Sequence, residues 1–396
     1  MRNLSVPAVI AAVACLTAGC AAVASPHGGS GSGSGSTRML GGQSGPWQVR
    51  ITYLPGASGP GNAPGQLVAL SPTDAWVIGT TGVNFYPYAD RWDGRAWRRL
   101  AVPVGAAKLM GSQPSWDALA ASSPGNVWLF GPTAAQKAGR GPADAEVWLN
   151  YHDGRLHWGL VRLPGKAGSA PSYALATGSD GVWVFGDVFV WRYQQGKWAR
   201  GRLPGRGAPI VSAAAVSPGN VWALRSYGED GNRTGGALLH YSGGRWRQVP
   251  LPTAMRGALV GSLVACGANC AWISGGVTNS ERGTTEAIAR WTGRRWYIST
   301  PPVQASHRQL NFSAILADGF GGLWAYGNPD PQKAPLWQFA RNVWTRPTFA
   351  TKALLTGPPL ASIPGSTSFW STAWIFGQKR GQAKTGIALI SRRRIS

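Results

Sequence analysis

The sequence predicts an all-β fold: a seven-bladed β-propeller with four antiparallel strands per blade, the N-terminal strand closing the last blade. Three observations predict it. A Trp that ends a short turn motif recurs about every 50 residues. A second Trp column runs between members of the first. No segment carries a sustained helical period with caps.

The first column starts from the hexapeptide SPGNVW, which occurs at Ser123–Trp128 and again at Ser217–Trp222. Related segments are SPTDAW ending at Trp76, GSDGVW at Trp183, GANCAW at Trp272, GFGGLW at Trp324 and a looser FWSTAW at Trp374. Successive Trp residues lie 52, 55, 39, 50, 52 and 50 apart. The second column is Trp97, Trp158, Trp198, Trp246, Trp296 and Trp344, joined by Trp47 near the N-terminus. Together the columns take 14 of the 21 Trp.

Each unit reads as four strands in order. Strand A is a short apolar run such as QLVAL or DALAA, and an S-P-x-[DN] turn reverses it into strand B, which carries the first Trp. Strand C ends at a tip such as DRW or LLHY. A Gly- or Asn-containing turn, where positive φ is needed, leads into strand D with the second Trp. Seven residues before the strand-B Trp stand Ala69, Ala121, Ala176, Ala215, Ala265 and Ala317. A small side chain is what the crowded layer near a propeller axis allows. The last unit, from Thr372 onward, stops after strand C, whereas Trp47–Leu54 reads as an unattached strand D. The N-terminal strand is therefore expected to complete blade seven and remove an open edge.

Composition agrees with a large folded body. Gly (56) and Pro (29) are abundant, but 21 Trp and a 44% hydrophobic fraction can build a core, which argues against disorder. The chain opens with Arg2 and a short apolar run, Leu4–Leu16, too short to span a bilayer. Residues 25–46, SPHGGSGSGSGSTRMLGGQSGP, read as a flexible Gly/Ser coil. The expected domains are a signal peptide, 1–20, a tether, 21–45, and the propeller, 46–396. Cys15 falls in the signal peptide. Cys266 and Cys270 remain in the body and are expected to form a local disulfide in an oxidising compartment.

Two resemblances sharpen this picture. LTAGC, ending at Cys20, resembles the bacterial lipobox, which implies lipidation of Cys20 and anchoring to the outer face of the cell membrane; Thr17 stands where Leu is commonest. The alternative is simple secretion after the A-x-A site at Ala22–Ala24. DGFGGLWAYG and GSDGVWVFG resemble the D-x-x-G-x-L-W repeats of bacterial regulator-type propellers. The wider S-P-x-D-V-W…W-D-G-x-x-W…P pattern resembles secreted propeller lipoproteins of high-GC Gram-positive bacteria. Both imply the fold and neither implies an activity, since propellers host many.

Function is read from the faces. A–B and C–D turns share one face and are short and uniform. B–C and D–A loops share the other and vary in length, from TTGVNFYPYAD to GPTAAQKAGRGPADAE. Variable loops on a rigid scaffold are where binding concentrates. The candidate ligand-binding residues there are Phe85, Tyr86, Tyr88, Trp116, His307 and Arg308. The sequence points to a binding or scaffolding module for an envelope protein or glycan, monomeric and without a cofactor. The alternative is a secreted carbohydrate-active enzyme with acidic residues at the channel mouth. Its candidates are Asp117, Asp144, Glu146, Glu229, Asp230, Glu281, Glu286 and Asp330, among which no spacing singles out a pair. The five His suggest no triad, YGEDGN at Tyr227–Asn232 is a poor calcium loop, and no metal site is expected. A net charge of +23 suits anionic lipid headgroups or acidic wall polymers, while export argues against nucleic acid.

Overall fold

The computed structural model describes residues 47–55, 63–81, 86–111, 115–134, 145–162, 173–205, 207–227, 235–279, 283–302, 312–327, 336–347, 349, 354–376 and 383–392, all within one compact unit. They form seven four-stranded antiparallel sheets. Blade 1 consists of Ala63–Ser71, Asp74–Thr81, Tyr86–Trp92 and Trp97–Arg99 as strands A to D. Blade 2 is Ala118–Ser123, Asn126–Pro132, Ala145–His152 and Arg155–Arg162. Blade 3 is Tyr173–Thr177, Gly181–Phe185, Phe189–Gln194 and Lys197–Arg202, and blade 4 Ile210–Ser217, Asn220–Tyr227, Gly235–Ser242 and Arg245–Val249. Blade 5 is Val260–Gly267, Cys270–Asn279, Gly283–Trp291 and Trp296–Ser299, and blade 6 Phe312–Ala317, Leu323–Gly327, Leu336–Ala340 and Val343–Thr345.

Blade 7 has three C-terminal strands, Leu354–Ser362, Phe369–Phe376 and Ala383–Arg392, and takes its strand D from Trp47–Tyr53. This closing strand runs antiparallel to Ala383–Arg392, with Trp47 opposite Arg392 and Tyr53 opposite Gly386. Strands A of successive blades neighbour one another around the whole ring, blade 7 meeting blade 1.

The core is divided into seven apolar clusters, one at each seam between successive blades. The Trp columns explain this division. The strand-B Trp of one blade meets the strand-C aromatic of the next: Trp76 on Tyr151 at 5.2 Å, Trp128 on Tyr193 at 5.0 Å, Trp183 on Tyr241 at 4.8 Å, Trp272 on Phe339 at 5.7 Å and Trp370 on Trp92 at 5.8 Å. The strand-D Trp completes the group, as Trp246 does against Trp183 at 5.7 Å. Burying one indole removes about 150–250 Å² from water, on the order of 4–6 kcal/mol before conformational entropy is charged against it. Much of that burial needs the neighbouring blade, so each seam ties its two blades together.

Strand register corrects three details of the repeat. In blade 7 the first-column Trp is Trp370, fully buried, and not Trp374, because the A–B connection is a longer turn across 363–368. The small-residue column then reads Ala69, Ala121, Ala176, Ala215, Ala265, Ala317 and, in seventh place, Ser362, each opposite the residue before that Trp. In the second column five Trp hold their place. Blade 2 puts Leu156 opposite Tyr151, and blade 7 puts Val49 opposite Ile390, so Trp158 and Trp47 each stand two residues away. Trp47 still serves the seam, packing edge-on against Trp324 at 4.8 Å.

Two further differences are local. A seven-residue helix, α1 (Val104–Met110), lies in the D–A connection between blades 1 and 2, where helical periodicity was too short to register. Only Ala106 and Met110 of it are buried, an i,i+4 pair that a loop reading cannot distinguish. The C–D turns behave as expected: Asp153–Gly154, Gln195–Gly196, Gly243–Gly244 and Arg341–Asn342 all have positive φ at both residues, the twist a two-residue hairpin needs. Cys266 and Cys270 are joined by a disulfide at the A–B turn of blade 5, their Cα atoms 4.9 Å apart. No helix among the described residues is long and apolar enough to cross a membrane.

Candidate functional site

Strands A begin, strands B end, strands C begin and strands D end on the loop face. Much of what connects them there lies outside the described residues, as do Phe85, His307, Arg308 and Cys20. What is described is the ground on which those loops stand.

At blade 1 that ground is an ion pair inside the wall. Asp90 on strand C is fully buried and meets Arg99 of strand D at 2.5 Å, while the same guanidinium donates to the carbonyl of Pro55 at 3.2 Å. Burial raises the Asp90 carboxyl, and hydrogen bonding and charge from Arg99 oppose the rise. The Arg99 guanidinium also lies 4.9 Å over the ring of Tyr88. Tyr88 is 2% exposed and belongs to the seam between blades 7 and 1. Burial first and the Asp90 charge second push its hydroxyl above the ordinary value, against the pull of Arg99. Tyr88 therefore packs within the wall and offers no open platform. Tyr86 is described only as the first residue of the same strand. Trp116 is half-buried against the cluster between blades 1 and 2.

At blades 3 and 4 a buried cation clamps two connections. Arg225, fully buried at the end of strand B of blade 4, donates from Nη1 to Pro204 O at 2.8 Å and from Nη2 to Asp187 O at 2.7 Å. One side chain thus fixes the B–C loop of blade 3 and the connection into blade 4. Between blades 4 and 5 a 3-10 turn, Thr253–Met255, drops Met255 into the seam, as α1 drops Met110 between blades 1 and 2. Along the inner strands, short polar side chains bridge blade to blade. The N–H of Leu119 donates to Gln66 Oε1 at 2.8 Å, that of Leu263 to Ser212 Oγ at 3.1 Å and that of Ile315 to Ser262 Oγ at 3.1 Å. Inner-edge amides that have no strand partner are satisfied in this way.

Among the described carboxylates, Glu146 and Glu286 do not converge. Glu146 and Glu286 occupy the same place in their blades, four residues along from the strand-B Trp, opposite Pro132 and Gly276. They belong to blades 2 and 5, almost diametrically placed in a ring of seven. Each sits two strands out from the axis, so at least about 20 Å separates them, far beyond a paired-carboxylate site. Burial lifts the Glu286 carboxyl to about 7, against a hydrogen bond from the Phe312 N–H. Asp144, Glu229, Asp230, Glu281 and Asp330 lie outside the described residues. Among the described residues no group of three His, Cys, Asp or Glu is placed to hold a metal.

One histidine and several arginines serve the scaffold. His240 stacks on Trp222 at 3.7 Å, and burial and then the Arg247 charge lower its pKa, favouring the neutral ring. Arg91, Arg192 and Arg290 take the equivalent place in their blades and lie 5.3, 4.9 and 5.4 Å over Trp76, Trp183 and Trp272. Asp74 accepts from Arg91, and Asp93 caps its own turn, accepting from the amides of Arg95 and Ala96.

No protein-family model matches the chain, and no curated protein does. Solved structures are similar to it. YCF48 bound to a D1 peptide gives a TM-score of 0.56 at 14% identity, covering 90% of this chain and 97% of that one. The WD40 repeats of RRP9 give 0.54 at 9% identity, covering 90% and 100%. The extracellular domain of the two-component system BT4673 from B. thetaiotaomicron gives 0.50 at 14% identity, covering 85% of this chain and 39% of that one. At such identities the likeness establishes the fold. The chain is a seven-bladed β-propeller.

Sequence reasoning missed Asp90, Arg99 and Arg225. Asp90 and Arg99 carried a signal, an acid and a base placed to face each other across the DRW–DG–W hairpin. Arg225 carried none, since its partners are carbonyls contributed by two distant loops.

Proposed function

We propose that this protein is a binding or scaffolding module of the cell envelope, lipid-anchored through Cys20 to the outer face of the membrane and held off it by residues 21–45. The partner is a protein or a glycan met by the loop face; the module acts as a monomer and takes no nucleic acid. The observation that carries the reading is the asymmetry of the two faces. On one, every connection is six residues or shorter, and two-residue turns prevail. On the other, loops of unequal length rise from clamps such as Arg225 and Asp90–Arg99. The likeness to YCF48, whose structure holds a peptide, supports a protein partner.

The experiment is in-cell cross-linking and pull-down of the anchored protein beside a variant with residues 83–86 replaced by Gly and Ser, Tyr88 being kept because it is core. A partner captured by the parent and lost in the variant is the expected result. Identical captures from both, or no protein from either, would overturn a protein-binding role for this loop. The anchor is tested separately: the parent is expected to stay with the membrane through a high-salt wash, and Cys20→Ala to be stripped by it.

A further inference from the structure

We propose that the outer wall at blades 1 and 2 is a lipid-contact face that seats the propeller against an anionic bilayer. The starting point is the one strand-D Trp that leaves its seam outward. Trp158 stands opposite Leu149 instead of Tyr151 and is 40% exposed, while Leu156 fills the seam place. Leu160, two residues on and therefore on the same strand face, is 50% exposed. Against them lies α1, where Val104 is 72% and Leu109 37% exposed.

This arrangement is built and not incidental. A Cβ at Gly105 would fall 2.3 Å from Cζ2 of Trp158, so the helix backbone rests directly on the indole and needs a glycine to do so. The indole is thereby held with its outer part in solvent. The rest of α1 is fixed from below by Met110 in the seam.

Charge selects the occupant. Lys108 on the helix and Arg162, next on the face of Leu160, border the apolar group and are exposed. No acidic residue occurs in Trp97–Gly111 or Arg155–Arg162, the two segments that make the wall. An indole and aliphatic side chains bordered by Lys and Arg form the composition that settles at a lipid–water interface. Anionic headgroups add about 1 kcal/mol for each basic residue near the surface. A chain of net charge +23 is drawn to such a surface from a distance. The inference deepens the envelope reading yet is tested apart from the Cys20 anchor.

The test is co-sedimentation of the full chain carrying Cys20→Ala with vesicles of phosphatidylcholine, alone or with about 30% phosphatidylglycerol at about 0.1 M salt. Any contribution from the N-terminal segment is common to every variant. Binding to the anionic vesicles is expected to fall at least about fivefold in Trp158→Ser/Leu160→Ser and to be unchanged in Val216→Ser, an exposed apolar side chain elsewhere. Equal binding by parent and double variant would overturn the proposal, as would binding to neutral vesicles as strong as to anionic ones. If near-UV circular dichroism shows that the double variant is unfolded, Val104→Ser/Lys108→Ser makes the same comparison from the exposed side of α1. Because Cys20 is absent throughout, failure here leaves the anchor standing, and failure of the anchor leaves this face standing.

Discussion

Truncating Ile51 to Ala tests the closure of the ring. Ile51 sits mid-way along the closing strand, opposite Ala388, fully buried in the seam between blades 6 and 7. Ile→Ala removes three carbons, about 2.4 kcal/mol at about 0.8 kcal/mol each. The cavity left behind adds about 1 kcal/mol, because both neighbours are strands held in register and can collapse little. The expected loss is about 3–4 kcal/mol. The assay is urea unfolding of the intact chain, with Ile298→Ala beside it as the comparison. Ile298 is the same residue type on an outer strand D and 40% exposed, so its truncation is expected to cost under about 1 kcal/mol. If Ile51→Ala costs no more than Ile298→Ala, the N-terminal strand does not latch the ring in the way described.

Two further predictions concern buried charge. Glu286 has a folded pKa of about 7, raised by burial from 4.5, so its protonated form favours the folded state. That contribution is complete below pH 4.5 and is lost as pH rises through 7. The loss is at most about 3 kcal/mol; Glu286→Gln is expected to flatten stability between pH 5 and 8, and an unchanged slope in thermal melts refutes it. Arg99→Ala strands the buried Asp90 carboxylate and is expected to cost about 2–3 kcal/mol at neutral pH, less than for a fully buried pair because the Arg99 side chain is 41% exposed. The cost is expected to shrink in acid, where Asp90 takes a proton; denaturant titration showing equal cost at pH 4 and pH 7 contradicts it.

The fold was legible because the same physical problem recurs seven times. Each blade must bury an indole against the next and turn tightly twice, so Trp, Gly and Ser-Pro return at matching places. Where a blade solves the problem differently, reading by spacing slipped: blade 7 lengthens its A–B turn and shifts from Trp374 to Trp370, and blade 2 seals its seam with Leu156 and sends Trp158 outward. The candidate site was legible only as a face. Tyr88 looked like a platform beside Phe85 and Tyr86, but it lies in the core cluster between blades 7 and 1. The clamps depend on partners far apart in the chain, such as Arg225 with Asp187 and Pro204, and no local pattern encodes them.

The central claim is that recognition belongs to the loop face and the turn face is scaffold. Its most direct test is a photo-crosslinking amino acid placed in cells at one position per blade on each face. Loop-face positions would be Val83, Lys137, Lys166, Asn232, Arg282, Pro331 and Gln378; turn-face positions would include Gly94, Gly154, Gly196, Gly243 and Gly293. Adducts to one partner from adjacent loop-face positions, with none from the turns, are the predicted result. Adducts confined to the turn face would contradict it.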